Sequence, residues 1–84
     1  MKKVAIVTGA AQGMGYGVAI NFLKIGYKVV FCDLNIEFIK KNKKKIKDKT
    51  KSSDFIFLEF DISKIKSCEN LAMKTYKKWS RVDI

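Results

Sequence analysis

The sequence predicts an α/β fold, a parallel sheet with helices on both faces, on three observations. Three short apolar runs, "VAIV" (4–7), "KVVFCD" (28–33) and "DFIFLEF" (54–60), alternate with segments of helical periodicity. The runs are continuous and rich in β-branched and aromatic residues, the pattern of strands covered on both faces. A glycine-rich turn joins the first run to the first helical segment. The resulting β-α-β-α-β-α order implies parallel strands joined by right-handed crossovers.

Each element has its own signals. The first helix is expected over residues 13–25, with Met14, Val18, Ala19, Phe22 and Leu23 at helical spacing and Gly26 as the stopping residue. Asn35 reads as the N-cap of a second helix that runs from Ile36 through the lysines to Lys49. Its weak apolar stripe, Phe38, Ile39, Asn42 and Ile46, suggests firm packing of the first half only. Ser63 reads as the cap of a third helix, whose apolar stripe is Ile65, Cys68, Ala72, Tyr76 and Trp79. "VDI" at 82–84 begins what reads as a fourth strand.

Composition narrows the function. With 84 residues the chain makes one small domain, and its 48% apolar content with six Phe, three Tyr and one Trp supports a core. The two cysteines, Cys32 and Cys68, lie 36 residues apart and there is no histidine. That excludes His-containing zinc sites and His-based triads, argues against a disulfide framework, and reads as two buried thiols in a reducing compartment. No metal site is expected. No apolar run approaches the roughly 18 residues of a membrane span, and the four-residue run after the opening lysines is too short for a signal peptide. A cytoplasmic protein without a membrane partner is expected. The net charge is +10, of which residues 40–51, with eight lysines and Asp48, carry +7. This run reads as a solvated helix face, the alternative being a nucleic-acid or anionic-surface patch. Without interleaved aromatics or a base-reading motif, no specific nucleic-acid partner is expected.

The glycine turn, "VAIVTGAAQGMGYG", carries the chemistry. A glycine-rich turn between strand and helix lets backbone N–H groups and the positive helix end meet an anion. The glycines stand at 9, 13, 15 and 17. G-x-G-x-x-G fails because Val18 follows Gly13 and Gly15 at the third position, and the Walker pattern fails for lack of its Lys and Ser or Thr. T-G-x-x-x-G-x-G fits, as Thr8-Gly9, Gly13 and Gly15. With Asp33 ending the second strand, "DIS" (61–63) after the third and "RVDI" (81–84) at the fourth, the whole chain resembles the short-chain dehydrogenase/reductase family.

The resemblance implies a Rossmann-like parallel sheet of order 3-2-1-4, truncated after the third βα unit. Residues 1–84 are then the N-terminal part of a single, incomplete dinucleotide-binding domain. It implies that Gly9 belongs to the coenzyme loop, that Gly13, Met14 and Gly15 lie under a pyrophosphate, and that Gln12 approaches the adenosine ribose. Asp33, with Leu34 beside it, would bind the ribose 2′-OH, and Asp61 and Ile62 would flank the adenine. The Asp33 charge repels a 2′-phosphate, which favours NAD over NADP. Other readings stay open: Gly9 and Gly17 as turn or close-packing residues, Asp33 as a cap of the following turn, Asp61 as a cap of the next helix.

The family's catalytic residues include a Tyr in Y-x-x-x-K. Here Tyr16 is followed four on by Ile20, Tyr27 by Phe31 and Tyr76 by Ser80, so no catalytic residue is assigned. The expectation is an NAD(H)-binding N-terminal fragment of an oxidoreductase acting on an alcohol/carbonyl pair, inactive alone. The alternative is a stand-alone, non-catalytic nucleotide-binding module. The resemblance also implies a homo-oligomeric parent, and the opening leans toward the acetoin/diacetyl (2,3-butanediol) dehydrogenase branch. With Ile84 as the last residue, the first strand is expected to be an exposed apolar edge and the chain to be poorly stable and aggregation-prone.

Overall fold

The computed structural model describes residues 2–61 and 63–84. Three strands, β1 (Val4–Thr8), β2 (Lys28–Asp33) and β3 (Phe55–Glu59), form one parallel sheet in the order β1-β2-β3. The register aligns Ala5 with Val29 and Val29 with Phe55, so β2 is central. Its residues divide between two cores. Val29 and Phe31 face one layer with Ala19, Leu23, Ile39 and Ile46, while Val30 and Cys32 face the other with Phe60 and Leu71. Coverage on both faces explains why β2 has no polar position between its ends.

Helix α1 (Gly13–Lys24) ends in a Schellman motif. The Gly26 N–H donates to the Leu23 carbonyl at 3.1 Å and the Tyr27 N–H to the Phe22 carbonyl at 2.9 Å, with Gly26 at φ +99°. The Phe22 and Tyr27 rings, 4.8 Å apart, close the motif with an apolar contact. The buried face differs from the expected one: Ile20 is buried with Ala19 and Leu23, whereas Val18 is exposed and Met14 is 87% exposed. Gly15 lies against the Gly9 carbonyl and Ala19, one turn on, is in the core, so Met14 and Val18 face outward.

The expected second helix is two, α2 (Ile36–Lys40) and α3 (Lys43–Thr50). Asn42 breaks it, at φ −97° and ψ 11°, its N–H donating to the Ile39 carbonyl at 2.8 Å. Asn is a weak helix former and the surrounding lysines repel one another. The second half nevertheless packs firmly, since Ile46 is fully buried and Thr50 is buried with its hydroxyl donating to the Ile46 carbonyl at 2.7 Å. Phe38 points away from the core. Asn35 sits at the N-cap position of α2 without a side-chain capping bond.

Helix α4 (Ile65–Trp79) also turns a different face inward. Leu71 and Thr75 are buried and Trp79 is half-buried, while Ile65 and Tyr76 are 79% and 62% exposed, and Cys68 and Ala72 are exposed too. Thr75 tolerates burial because its hydroxyl donates to the Leu71 carbonyl at 2.8 Å. The Lys28 ammonium lies 5.7 Å above the Trp79 ring and ties the helix end to β2. Ser63 does not cap α4; its hydroxyl donates to Asp61 instead, at 2.7 Å.

The free edge of β1 is not bare. Residues 82–84 run along it, the Asp83 N–H donating to the Val4 carbonyl at 2.9 Å and the Ile6 N–H to Ile84 at 2.7 Å. The expected exposed edge is thus partly paired, on the side where the order 3-2-1-4 places the next strand. Asp83 anchors this segment, accepting from the Val4 N–H at 2.8 Å and from both Nε and a terminal nitrogen of Arg81. The Arg81 hydrogen bonds, then that from Val4, hold the Asp83 carboxyl below the usual carboxylate range. A folded-state pKa below the unfolded value of about 3.9 stabilises the pairing above that value. The contribution is lost as the pH falls through the folded value. Amide-exchange protection at Val4, followed by NMR, is expected to fall on acidification; protection unchanged into strong acid would refute this role.

Candidate functional site

The C-terminal ends of the three strands meet the glycine turn at one rim. β1 ends at Thr8, and Gly9 turns the chain at φ +64°. Two bonds tie the turn to the end of β2: the Ala10 N–H donates to the Cys32 carbonyl at 3.0 Å, and the Ala11 N–H to Asp33 Oδ2 at 3.1 Å. Gln12, extended and exposed, then leads to Gly13, which opens α1 at φ +64°. No side chain caps the N-terminus of α1 and its first turn has no acidic residue. Its first N–H groups and the positive end of the helix dipole are therefore available to an anion.

The glycines divide by cause. Gly9 and Gly13 have open space around them and are required by their positive φ. A Cβ on Gly15 would overlap the Gly9 carbonyl oxygen and stand 3.3 Å from Ala10 Cα, so Gly15 lets the helix approach the turn. Gly17 has neither a positive φ nor a near neighbour. Close packing, open at the sequence level for Gly9 and Gly17, falls on Gly15.

Asp33 joins the two loops of the rim. Besides Ala11, its carboxylate accepts the Asn35 N–H, at Oδ1 and 2.9 Å. It thus performs the turn-capping role, and a carboxylate with about four lone-pair sites retains capacity for a hydroxyl donor. Two cavities share Asp33 and Leu34. An inner one of about 340 Å³ is lined by Thr8, Gly9, Phe60 and Asp61, and an outer one of about 410 Å³ by Gln12, Asn35, Phe38 and Lys41 among others. A crevice outside the strand ends, beside a glycine turn, is where open α/β sheets bind ligands.

Asp61 holds the β3–α4 turn. Its Oδ1 accepts from the Ser63 hydroxyl at 2.7 Å and the Ser63 N–H at 3.0 Å, and these bonds keep its carboxyl below the usual range. It does not cap α4, which starts at Ile65 behind Lys64. Ile62 lies outside the described residues. Of the other expected site residues, Gly9, Gln12, Asp33, Leu34 and Asp61 line the two cavities, whereas Gly13, Met14 and Gly15 form the start of α1 and line neither. Sequence reasoning did not select Phe60, Asn35, Phe38 or Lys41, which also line them. Their adjacency to strand ends was the available signal, but their types are common in cores and on surfaces. Cys32, beneath the rim, is pushed up to about 12 by burial and then by the Asp33 charge, and is an inert thiol at neutral pH. Among the described residues no group of three His, Cys, Asp or Glu side chains is placed to hold a metal ion. No described helix is long and apolar enough to cross a membrane.

A parallel sheet covered on both faces, with a glycine turn and an uncapped helix end at the strand rim, defines a Rossmann-like nucleotide-binding α/β protein. A family model described as short chain dehydrogenase matches residues 3–84, and the chain belongs to the short-chain dehydrogenase/reductase family of oxidoreductases. It is 34% identical over 82 residues to the mouse (Mus musculus) 15-hydroxyprostaglandin dehydrogenase [NAD(+)], covering 98% of this chain and 30% of that one. It is 31% identical over 84 residues to the diacetyl reductase [(S)-acetoin forming] of Staphylococcus epidermidis, covering 100% of this chain and 32% of the relative. Among solved structures, YwfH, an NADPH-dependent reductase involved in bacilysin biosynthesis, superposes with a TM-score of 0.89 at 26% identity, over 99% of this chain and 35% of that one. The chain spans 27 to 32% of the length of the curated relatives it matches. One relative is named for NAD and one structure for NADPH, so both coenzymes occur among them.

Proposed function

We propose that these residues form the NAD(H)-binding part of a cytoplasmic oxidoreductase acting on an alcohol/carbonyl pair. The observation that supports it most is the carboxylate of Asp33, which borders both cavities beside the uncapped start of α1. In this reading Gly9 turns the coenzyme loop, and Gly13, Met14 and Gly15 lie under the pyrophosphate, whose charge meets the free N–H groups of α1. Gln12 approaches the adenosine ribose, Asp33, with Leu34 beside it, accepts from the ribose 2′-OH, and Asp61 and Ile62 flank the adenine. The spare lone pairs of Asp33 suit a diol and repel a 2′-phosphate, which favours NAD over NADP.

A bound nicotinamide coenzyme supplies the hydride donor or acceptor, and this chain's residues bind and orient it. None of the three tyrosines is followed four on by a lysine, so no acid or base for the alcohol proton is assigned here. The 84 residues bind without turning substrate over. The substrate, homo-oligomeric assembly and any closeness to the diacetyl reductases belong to the longer family protein.

Titration calorimetry with NADH and NADPH tests the reading. NADH is expected to bind at least about tenfold tighter, the equivalent of one charge-assisted hydrogen bond of about 1.5 kcal/mol. Asp33→Ala is expected to erase most of that preference. Equal affinities in the unaltered chain, or a preference for NADPH, would refute it.

A further inference from the structure

A strip of unpaired lysines follows α3 away from the outer cavity. Residues 40–51 hold eight lysines and one aspartate. Docking through Ile46 and Thr50 leaves the lysines of α3 in solvent. Lys40 pairs with Glu37 at 3.0 Å; among the described residues, none of the other seven has a carboxylate oxygen within 4.0 Å. Lys41, Lys44, Lys45 and Lys49 line one shallow groove of about 640 Å³, in which Asp48 is the single acid.

A second observation concerns Phe38. The sequence pattern places it in the apolar stripe of its helix, but Ile36 and Ile39 take the core positions of α2 and leave Phe38 56% exposed. Its side of α2 lines the outer cavity together with Lys41, and Lys41 also lines the lysine groove. An accessible aromatic ring is therefore contiguous with a row of free ammonium groups, the interleaving that is missing when the lysine run is read alone.

Free ammonium groups along a groove attract successive phosphates, and an exposed ring offers a face to a base. An anionic bilayer fits less well, because the one apolar residue of α3, Ile46, is fully buried and Phe38 alone does not make an apolar face to insert. An acidic peptide would leave Phe38 without a planar partner. We propose that Phe38, Lys41, Lys44, Lys45 and Lys49 bind single-stranded nucleic acid without sequence preference, phosphates on the lysines and one base on Phe38. This binding does not rest on the coenzyme reading, but Phe38 and Lys41 also line the outer cavity with Gln12 and Asp33, so the titration is made on the coenzyme-free chain.

Fluorescence anisotropy of a labelled oligouridylate against the 84-residue chain tests it, from about 50 to about 200 mM KCl. Four lysine contacts predict that log K falls with log[salt] at a slope of about −3. The double variant Lys44→Gln/Lys45→Gln is expected to halve that slope. Phe38→Ala is expected to weaken oligouridylate binding about tenfold at an unchanged slope, and to leave binding of inorganic polyphosphate unaltered. All three positions are exposed, and circular dichroism confirms that each variant is folded. A slope near zero, an unchanged slope in the double variant, no effect of Phe38→Ala, or equally tight binding to polyphosphate or to phosphatidylserine vesicles would each overturn the proposal.

Discussion

Gly15→Ala is expected to destabilise the chain by about 3 kcal/mol, at the upper end of ordinary overpacking costs, and to abolish coenzyme binding. The added Cβ would meet the Gly9 carbonyl, and the obstruction is backbone rather than the end of a flexible side chain. Relief requires α1 to move away from the turn, which separates Ala19 and Leu23 from β2 and shifts the N–H groups at the helix start. The other glycines serve as controls. Gly13→Ala adds a side chain in open space but at φ +64°, which costs about 1 to 2 kcal/mol. Gly17→Ala meets nothing within 4 Å and is expected to stabilise the helix by about 0.5 to 1 kcal/mol. Urea denaturation of the three variants, with NADH titration of each, checks the ranking. Gly15→Ala as stable as Gly17→Ala would show that the close approach at Gly9 is not required.

Phe31→Ala is expected to unfold the chain outright. Phe31 is fully buried in the middle of the central strand, its ring 5.4 Å from that of Phe57, 5.8 Å from that of Phe55 and 6.5 Å from that of Tyr16. Truncating a buried Phe costs about 3 to 5 kcal/mol. A chain of 84 residues has a total stability of about 4 to 13 kcal/mol at the usual 0.05 to 0.15 kcal/mol per residue. The loss is comparable to the lower part of that range, and three rings would lose a neighbour together. Phe38→Ala, which removes an equal volume from an exposed position, is expected to leave the melting curve nearly unchanged. Thermal melts followed by circular dichroism compare the two, and similar transitions for both would contradict the assignment of the core.

The strands were legible because burial on both faces leaves a continuous β-branched signature in "VAIV" and "KVVFCD", whereas their order in the sheet came from the family resemblance. The glycine turn was legible because positive φ and close approach restrict residue type more than any other local demand. The helix faces were not. In α1 the rotation is set by Gly15 against Gly9, so Ile20 goes in and Met14 goes out, and hydropathy carries no information about that contact. In α4 the inward line includes Thr75, which an apolar count omits because its burial depends on a bond to the Leu71 carbonyl. The division of α2 from α3 was hidden in a lysine run, where only the weak helix propensity of Asn42 marks the break. At the rim, the spacing of glycines and aspartates was readable, whereas the reach of Phe38 and Lys41 into the outer cavity depends on how α2 is oriented.

In the proposed coenzyme site, Asp33 links recognition to architecture through a single side chain. Its two oxygens already hold Ala11 on one loop and Asn35 on the other, so part of the entropy of ordering the rim is spent before any ligand arrives. The same arrangement constrains how such a site can evolve. A substitution that removes both oxygens leaves the glycine turn with only its Ala10–Cys32 tie to β2, and asparagine, with one acceptor oxygen, keeps only one of the two side-chain ties. A lineage changing its coenzyme through this residue must first acquire another anchor for Ala11, which makes the order in which mutations accumulate as important as their identity.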